Sequence, residues 1–245
     1  MTEDRAGGHG SALGRAWRVG CTMAAVVLIE TLVCAVAAMP VVSFWWWLAG
    51  RTSGYPLLDV MVVSLLAVPS YVVFALALVC VSPAATWLTG ARTPANAEMR
   101  IADAGWPLMR WARYMAATHV VRLLAGPLLR GTQLWAFYLR MNGARIGRRV
   151  FVNSLSIGDH NLLEFEDDVV IGGDVHLSGH TVEGGVVKTA AVRLGRHVTI
   201  GLGSVVDIGV DVGPDAQVGA LSLVPKHTTL EGGGVYAGVP VRRIR

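Results

Sequence analysis

Residues 194–235 read LGRHVT IGLGSV VDIGVD VGPDAQ VGALSL VPKHTT LEGGGV, seven consecutive blocks of six. The first residue of each block is aliphatic: Leu194, Ile200, Val206, Val212, Val218, Val224 and Leu230. The second is Gly195, Gly201, Gly213 or Gly219 in four blocks, and Asp207, Pro225 or Glu231 in the others. The fifth is small or β-branched in the first six: Val198, Ser204, Val210, Ala216, Ser222 and Thr228. A period of six is neither the 3.6 of a helix nor the 2 of an ordinary strand. Fixed self-similarity of this kind specifies a solenoid. Each block is read as one short flat strand and a corner, and three blocks as one turn of a triangular coil. The first residue points into a narrow core and stacks on its equivalent one turn away. The second is expected to turn the corner, often as glycine with positive φ. The fifth also points inward, where space is tight.

Upstream the pattern continues with breaks. Ile146-Gly147 and Val152 fit, with Val150 and Ser156 at fifth positions. Ile157-Gly158 comes one residue early, and Phe165, Ile171-Gly172 and Leu177 restart the period. From Leu177 to Leu194 the interval is one residue short of a turn, and the stretch contains Gly184-Gly185. A loop or hairpin is expected to leave the coil there. Excursions from a rigid scaffold are where function concentrates.

The rest of the chain is of a different kind. It is 245 residues long, 53% hydrophobic and only 16% charged, with a mean hydropathy of +0.51. That argues against disorder and against a wholly soluble protein. Cys21, Cys34 and Cys80 all lie in apolar stretches, which excludes a disulfide scaffold and a cysteine-type zinc ribbon. The net charge of +4 comes without a nucleic-acid motif, so no nucleic-acid partner is expected. Residues 19–50 carry one charge, Glu30, and residues 60–88 carry none. Each is long enough to span a bilayer. Trp45, Trp46 and Trp47 mark an interface. A signal peptide is the competing reading of the first run, with Ala35-Val36-Ala37 as its cleavage site, but the apolar run continues well past it. Arg5, Arg15 and Arg18 precede the first span and Arg92, Arg100, Arg110 and Arg113 follow the second, with Arg51 alone between them. The positive-inside rule therefore places both termini in the cytosol, as a multi-pass protein of the cytoplasmic membrane. Glu30, an ionisable group inside a span, is flagged for function. Residues 91–142 interleave Trp106, Met109, Trp111 and Tyr114 with Arg110, Arg113, Arg122 and Arg130 at roughly helical spacing. This reads as an amphipathic helix on the bilayer surface.

The expected architecture is thus a mainly β protein. A cytosolic tail (1–18) leads to a two-helix transmembrane hairpin (19–90), a membrane-surface connector (91–142) and a parallel β-helix (143–245). The hexad pattern resembles that of hexapeptide-repeat acyltransferases, whose coil is left-handed. The closing YAGVPVRRIR is similar to that family's C-terminal signature, matched by Gly238, Pro240 and Arg242, with Val241 in place of the usual alanine. VGALSLVPK resembles the family's acyl-donor stretch, with Ala220, Ser222 and Lys226 at the matching positions. Two spans, a connector and this coil together resemble one unit of the membrane region of ε-poly-lysine synthetases and related peptide-synthetase-like proteins. Their H-x-x-E element is matched by His180-Thr181-Val182-Glu183, although Gly184 stands where that family tends to have aspartate. Their acidic patch is matched by Glu164 and Asp168. No adenylation or carrier domain occurs in these residues, so a carrier protein or peptide-synthetase partner is implied.

Acyl transfer from a thioester needs a base to take the acceptor's proton and a donor for the oxyanion. Histidine titrates near neutrality and suits the first role. His180, in the register break, is the expected base, and Glu183 the carboxylate that orients it. His160, Asn161, Glu164 and Asp168 are weaker candidates for holding an acceptor, the acidic ones through attraction for a cationic amine. The co-substrate is acyl-CoA or an acyl-carrier thioester, with no bound cofactor and no metal. Two alternatives stay open. One is a membrane-anchored trimeric scaffold without catalysis. The other is a zinc hydratase like the γ-class carbonic anhydrases, with His176, His180 and His197 as ligands. Coils of this type pair their flat faces, so a homotrimer is expected.

Overall fold

The computed structural model describes residues 12–51 and 53–245. The first eleven residues of the expected cytosolic tail, Arg5 among them, lie outside the described residues. Two helices come first, α1 (Ala12–Ala49) and α2 (Pro56–Leu88), both long and apolar enough to cross a membrane. A short strand β1 (Glu98–Arg100), a 3₁₀ turn (Ile101–Asp103) and helices α3 (Trp106–Leu124), α4 (Gly126–Leu129) and α5 (Gln133–Met141) follow. The coil opens with β2 (Arg145–Ile146), β3 (Phe151–Val152), β4 (Leu163–Phe165), β5 (Val170–Ile171) and β6 (His176–Leu177). An excursion contains β7 (His180–Glu183) and β8 (Val186–Thr189). The coil resumes with β9 (Val192–Leu194), β10 (Thr199–Ile200), β11 (Val205–Val206), β12 (Asp211–Val212), β13 (Gln217–Val218), β14 (Leu223–Val224), β15 (Thr229–Leu230) and β16 (Val235–Ala237), and β17 (Arg242–Arg243) closes it. Helices hold more residues than strands, so "mainly β" describes only the C-terminal part. The reason is geometric: each coil strand is two or three residues long and the corners take the rest.

Three sheets form the faces of the coil. The first runs β3-β5-β10-β13-β16, the second β6-β11-β14, and the third β2-β4-β9-β12-β15. Pairing within them is parallel, and from Leu194 onward partners are 18 residues apart, as in Leu194 with Val212 and Ile200 with Val218. The first aliphatic residue of every block is buried, Leu194 through Leu230, and forms one column of core. The sheets are not wholly parallel. β17 folds back antiparallel on β16, and β1-β8-β7 form a separate antiparallel sheet.

Two details of the repeat differ from the expectation. Positive φ falls at the fourth position of each block, at His197, Gly203, Gly209, Asp215, Leu221, His227 and Gly233. The second-position glycines have ordinary φ and are needed for another reason. A Cβ on Gly201 would lie 2.4 Å from the Ala220 nitrogen, and one on Gly213 would lie 2.5 Å from the Gly232 nitrogen. Successive turns approach too closely there for any side chain. The register break also differs. Leu177 and Leu194 are on different faces and are not equivalents. Phe165 pairs with Leu194, 29 residues on, so eleven residues beyond a normal turn leave the coil as the β7–β8 hairpin.

The connector forms three helices, α3, α4 and α5, rather than one. α3 buries Leu108, Met109, Tyr114, Ala117, Thr118 and Val121. It is bolted to the helical hairpin by Ser82 Oγ to the Ala117 carbonyl (3.1 Å) and Tyr71 Oη to the Leu124 carbonyl (2.9 Å). Arg18 on α1 donates to the carbonyls of Ala104 (2.8 Å) and Asp103 (3.1 Å). One face of α3 is spent on this packing, while Trp106 and Leu123 stay exposed. α1 is about 57 Å long at 1.5 Å per residue, nearly twice a hydrocarbon core of about 30 Å. β1 then crosses to the excursion and pairs with β8, with Met99 opposite Val187. Both are buried with Leu108 and Met109 in a small second core.

Gly201→Ala is expected to lower stability by about 1–3 kcal/mol through overpacking between turns. Thermal melts of wild type and variant check this, and equal melting temperatures would contradict the close-approach argument.

Candidate functional site

Asp159 is the centre of the site. It follows Ile157, whose bridge to Leu177 sets it one turn below the base of the β7–β8 hairpin. It adopts a left-handed backbone (φ 51°) and is 1% exposed. Oδ1 accepts hydrogen bonds from Thr93 Oγ1 (2.7 Å) and Trp111 Nε1 (3.1 Å). Oδ2 accepts from Ser178 Oγ (3.0 Å) and lies 2.5 Å from His180 Nδ1. Burial alone would raise its pKa. The hydrogen bond and charge of His180, with bonds from Thr93 and Ser178, outweigh that and hold the carboxyl below its usual range. A buried carboxylate with this many donors stays ionised.

The carboxylate assigns the histidine tautomer. With Nδ1–H directed at Oδ2, Nε2 carries the lone pair. Among the described residues nothing hydrogen-bonds Nε2. The His180 ring packs edge-on against Trp111, with centroids 5.0 Å apart at 68°, and its side chain is 22% exposed. An oriented imidazole with an open, partly exposed nitrogen is the arrangement a general base needs.

Glu183 is not the orienter. In a strand, residues three apart point to opposite faces, whereas on a helix they would share one. Glu183 ends β7 opposite Val186, away from His180, and forms an ion pair with Lys226. That pair ties the hairpin to a later turn of the coil. Asp159 occupies the role instead. The periodicity contained the signal for it, because one turn separates Asp159 from the base of the hairpin. Thr93 and Trp111 had no such signal, since both come from the connector.

The other candidates scatter. His160 is 3% exposed, with its Nε2 3.2 Å from the Ile157 carbonyl and its Nδ1 unpartnered. Tyr114 and Tyr138 flank it edge-on, at 6.1 and 5.7 Å. Burial pushes its pKa down to about 4, so it is a neutral core residue and not an acceptor ligand. Asn161 spends its side chain on Thr93, accepting from the backbone nitrogen (3.2 Å) and donating to the carbonyl (2.8 Å). Glu164 is shared by Arg145 and Arg193, both at 3.2 Å. Asp168 pairs with Arg149 at 2.6 Å and His197 at 3.4 Å, and Asp167 with Arg148 at 3.2 Å. The acidic patch is therefore paired with arginines of the preceding turn and with Arg193. Ser222 is buried and staples the C-terminal segment, accepting from the Gly238 nitrogen (3.2 Å) and donating to the Ala220 carbonyl (3.3 Å). Gly238, Pro240 and Arg242 lie in that segment, beyond the cis Val239–Pro240 bond in the case of Pro240 and Arg242. Lys226 is separate from this group, beside the hairpin. His176 pairs on the second face, while His197 bonds Asp215 at another corner (3.0 Å). With His180 turned onto Asp159, the three do not form a ligand set, and no cluster of three metal-binding side chains occurs among the described residues.

No family model matches the chain. It is 29% identical over 136 residues to a delta-poly-L-ornithine synthetase of Acinetobacter baumannii (strain AB307-0294), covering 56% of this chain and 10% of that protein. It is 35% identical over 108 residues to galactoside O-acetyltransferase of Escherichia coli (strain K12), covering 41% of this chain and 52% of that one. A maltose O-acetyltransferase from Clostridium difficile 630 aligns over 46% of this chain and 74% of its own, at 17% identity and a TM-score of 0.37. The chain thus spans a tenth and about half of the two curated relatives. They represent the two groups that the sequence resembles, acetyltransferases and polyamino-acid synthetases.

His160 gives a pH prediction. Its pKa is lower in the folded chain than the ordinary 6.5, so the unfolded chain binds the extra proton between those values. Stability is then full above about pH 6.5 and falls by up to about 1.4 kcal/mol per pH unit toward pH 4. Melting temperatures of wild type against His160→Asn across pH 4–7 check this, the variant showing the shallower loss.

Proposed function

We propose that this protein is a membrane-anchored acyl or aminoacyl transferase with a left-handed coil, acting on an amine or hydroxyl acceptor. The observation that carries the reading is His180 Nδ1 held 2.5 Å from the buried Asp159 carboxylate while Nε2 stays open. The acceptor attacks the thioester carbonyl and Nε2 takes its proton. The new C–N or C–O bond forms, the C–S bond breaks, and His180–H⁺ returns the proton to the departing thiolate. Asp159 stays ionised throughout and stabilises the imidazolium. The donor is a thioester, and CoA and a carrier protein would present the same carbonyl to Nε2. Ala220, Ser222, Gly238, Pro240 and Arg242 act at the donor end by shaping the C-terminal cap, and Lys226 by anchoring the hairpin.

α1 and α2 anchor the chain in the cytoplasmic membrane with the coil and both termini in the cytosol. On that placement Glu30 sits nineteen residues before the end of α1, about 28 Å from it. It falls at the inner boundary of the hydrocarbon and not at its centre, which removes the reason to assign it a function. A homotrimer would set each hairpin beside a neighbouring coil.

The test is acceptor-dependent thiol release by detergent-purified protein with acyl-CoA and carrier-bound donors. His180→Ala and Asp159→Asn are expected to lower kcat on the order of 100-fold or more. Glu183→Gln, which loses only an exposed ion pair, should cost less than about tenfold. Release that survives His180→Ala with the oligomer intact would move the base elsewhere.

A further inference from the structure

The connector and the third face of the coil enclose a cavity of about 590 Å³ that the dyad chemistry does not use. This lies within the ~300–1,000 Å³ range of small-molecule sites. Its polar lining is almost entirely donor: Arg92 and Asn96 from the connector, Arg145 and Arg193 from the coil, and His227 at a corner. The one carboxylate in the lining is Glu164. It already accepts from Arg145 Nη1 and Arg193 Nε. Each guanidinium has five N–H groups in a planar fork, so both retain donors for a ligand. Arg92 has no hydrogen-bond or ion-pair partner among the described residues. Three guanidinium groups against one carboxylate leave the cavity positive. The cavity also borders the dyad. Asn161, in its wall, clamps Thr93, which bonds Asp159. Ala190, also in the wall, donates to the carbonyl of Gly179, the residue before His180.

We infer that this cavity binds a phosphate ester, held by Arg92, Arg145 and Arg193. Planar forks of N–H donors match phosphate oxygens in pairs. Glu164 pre-positions two of the three arginines, and Arg92 is the one the ligand orders. The ester comes from one of two sources, the diphosphate of a soluble nucleotide-linked thioester donor or a phospholipid headgroup. The role as a substrate subsite rests on the transferase reading. The binding itself does not.

The experiment uses the full chain in neutral phosphatidylcholine nanodiscs, titrated calorimetrically with coenzyme A. In a second arm the discs contain phosphatidic acid, and lipid retained on the released protein is counted by native mass spectrometry. Wild type is expected to bind one probe, more weakly as salt is raised. Arg92→Gln should weaken it at least fivefold and Arg92→Gln with Arg193→Gln at least tenfold. The probe that responds names the source. Asp159→Asn should bind as wild type does while losing transfer, which separates failure of the cavity from failure of the dyad. Binding of neither probe, or equal binding of both by the double variant, would overturn the inference.

Discussion

Turns of the coil stack so closely that a Cβ at Gly201 would fall 2.4 Å from the Ala220 amide nitrogen. That spacing is set by the parallel backbone hydrogen bonds between turns. The first turn absorbs one extra residue, with Ile146 pairing with Phe165 and Val152 with Ile171, but a larger surplus must leave the coil. The eleven surplus residues between the second and third faces leave as β7 and β8, and His180 stands where they leave. The site exists because the coil is rigid on either side of it. Rigidity also fixes the register that brings Asp159 under His180 from the preceding turn.

The second organising feature is a buried negative charge. Asp159 is desolvated, a cost of several kcal/mol for an isolated carboxylate. It is offset by donors from two separate parts of the chain: Thr93 and Trp111 from the connector, and Ser178 and His180 at the excursion. A coil without the connector would leave Oδ1 with neither of its donors. The connector therefore also completes the candidate site. β1 makes the same connection through the backbone, by pairing with β8. The acids elsewhere on the coil behave differently. Glu164, Asp167 and Asp168 are solvated and pair with arginines one turn earlier, and such pairs contribute little each.

The repeat, the two long apolar helices and the excursion were all legible in the sequence, because each is a pattern of neighbours. Hydrophobic period, length of apolar run and a break in period are local quantities, and local physics fixes them. His180 was legible for the same reason, as a histidine inside the break. The sequence also misled in characteristic ways. Glycine at the second position signalled positive φ, but the backbone turns at the fourth position, at His197 and Leu221 as readily as at Gly203. His-x-x-Glu suggested a pair because the spacing is short, yet on a strand it separates the two side chains.

Tertiary structure alone decided which carboxylate meets the imidazole. Asp159 lies 21 residues before His180, and Thr93 and Trp111 lie 66 and 48 residues before Asp159. Those distances close only when the connector docks on the coil and one turn stacks on the next. The sequence by itself determined that a coil would form, where it would be interrupted and that two apolar helices would precede it. What it could not determine is the environment of each polar group. Burial and hydrogen-bond partners arise from segments far apart in the chain, and those are what make Asp159 a held anion and His160 a neutral core residue.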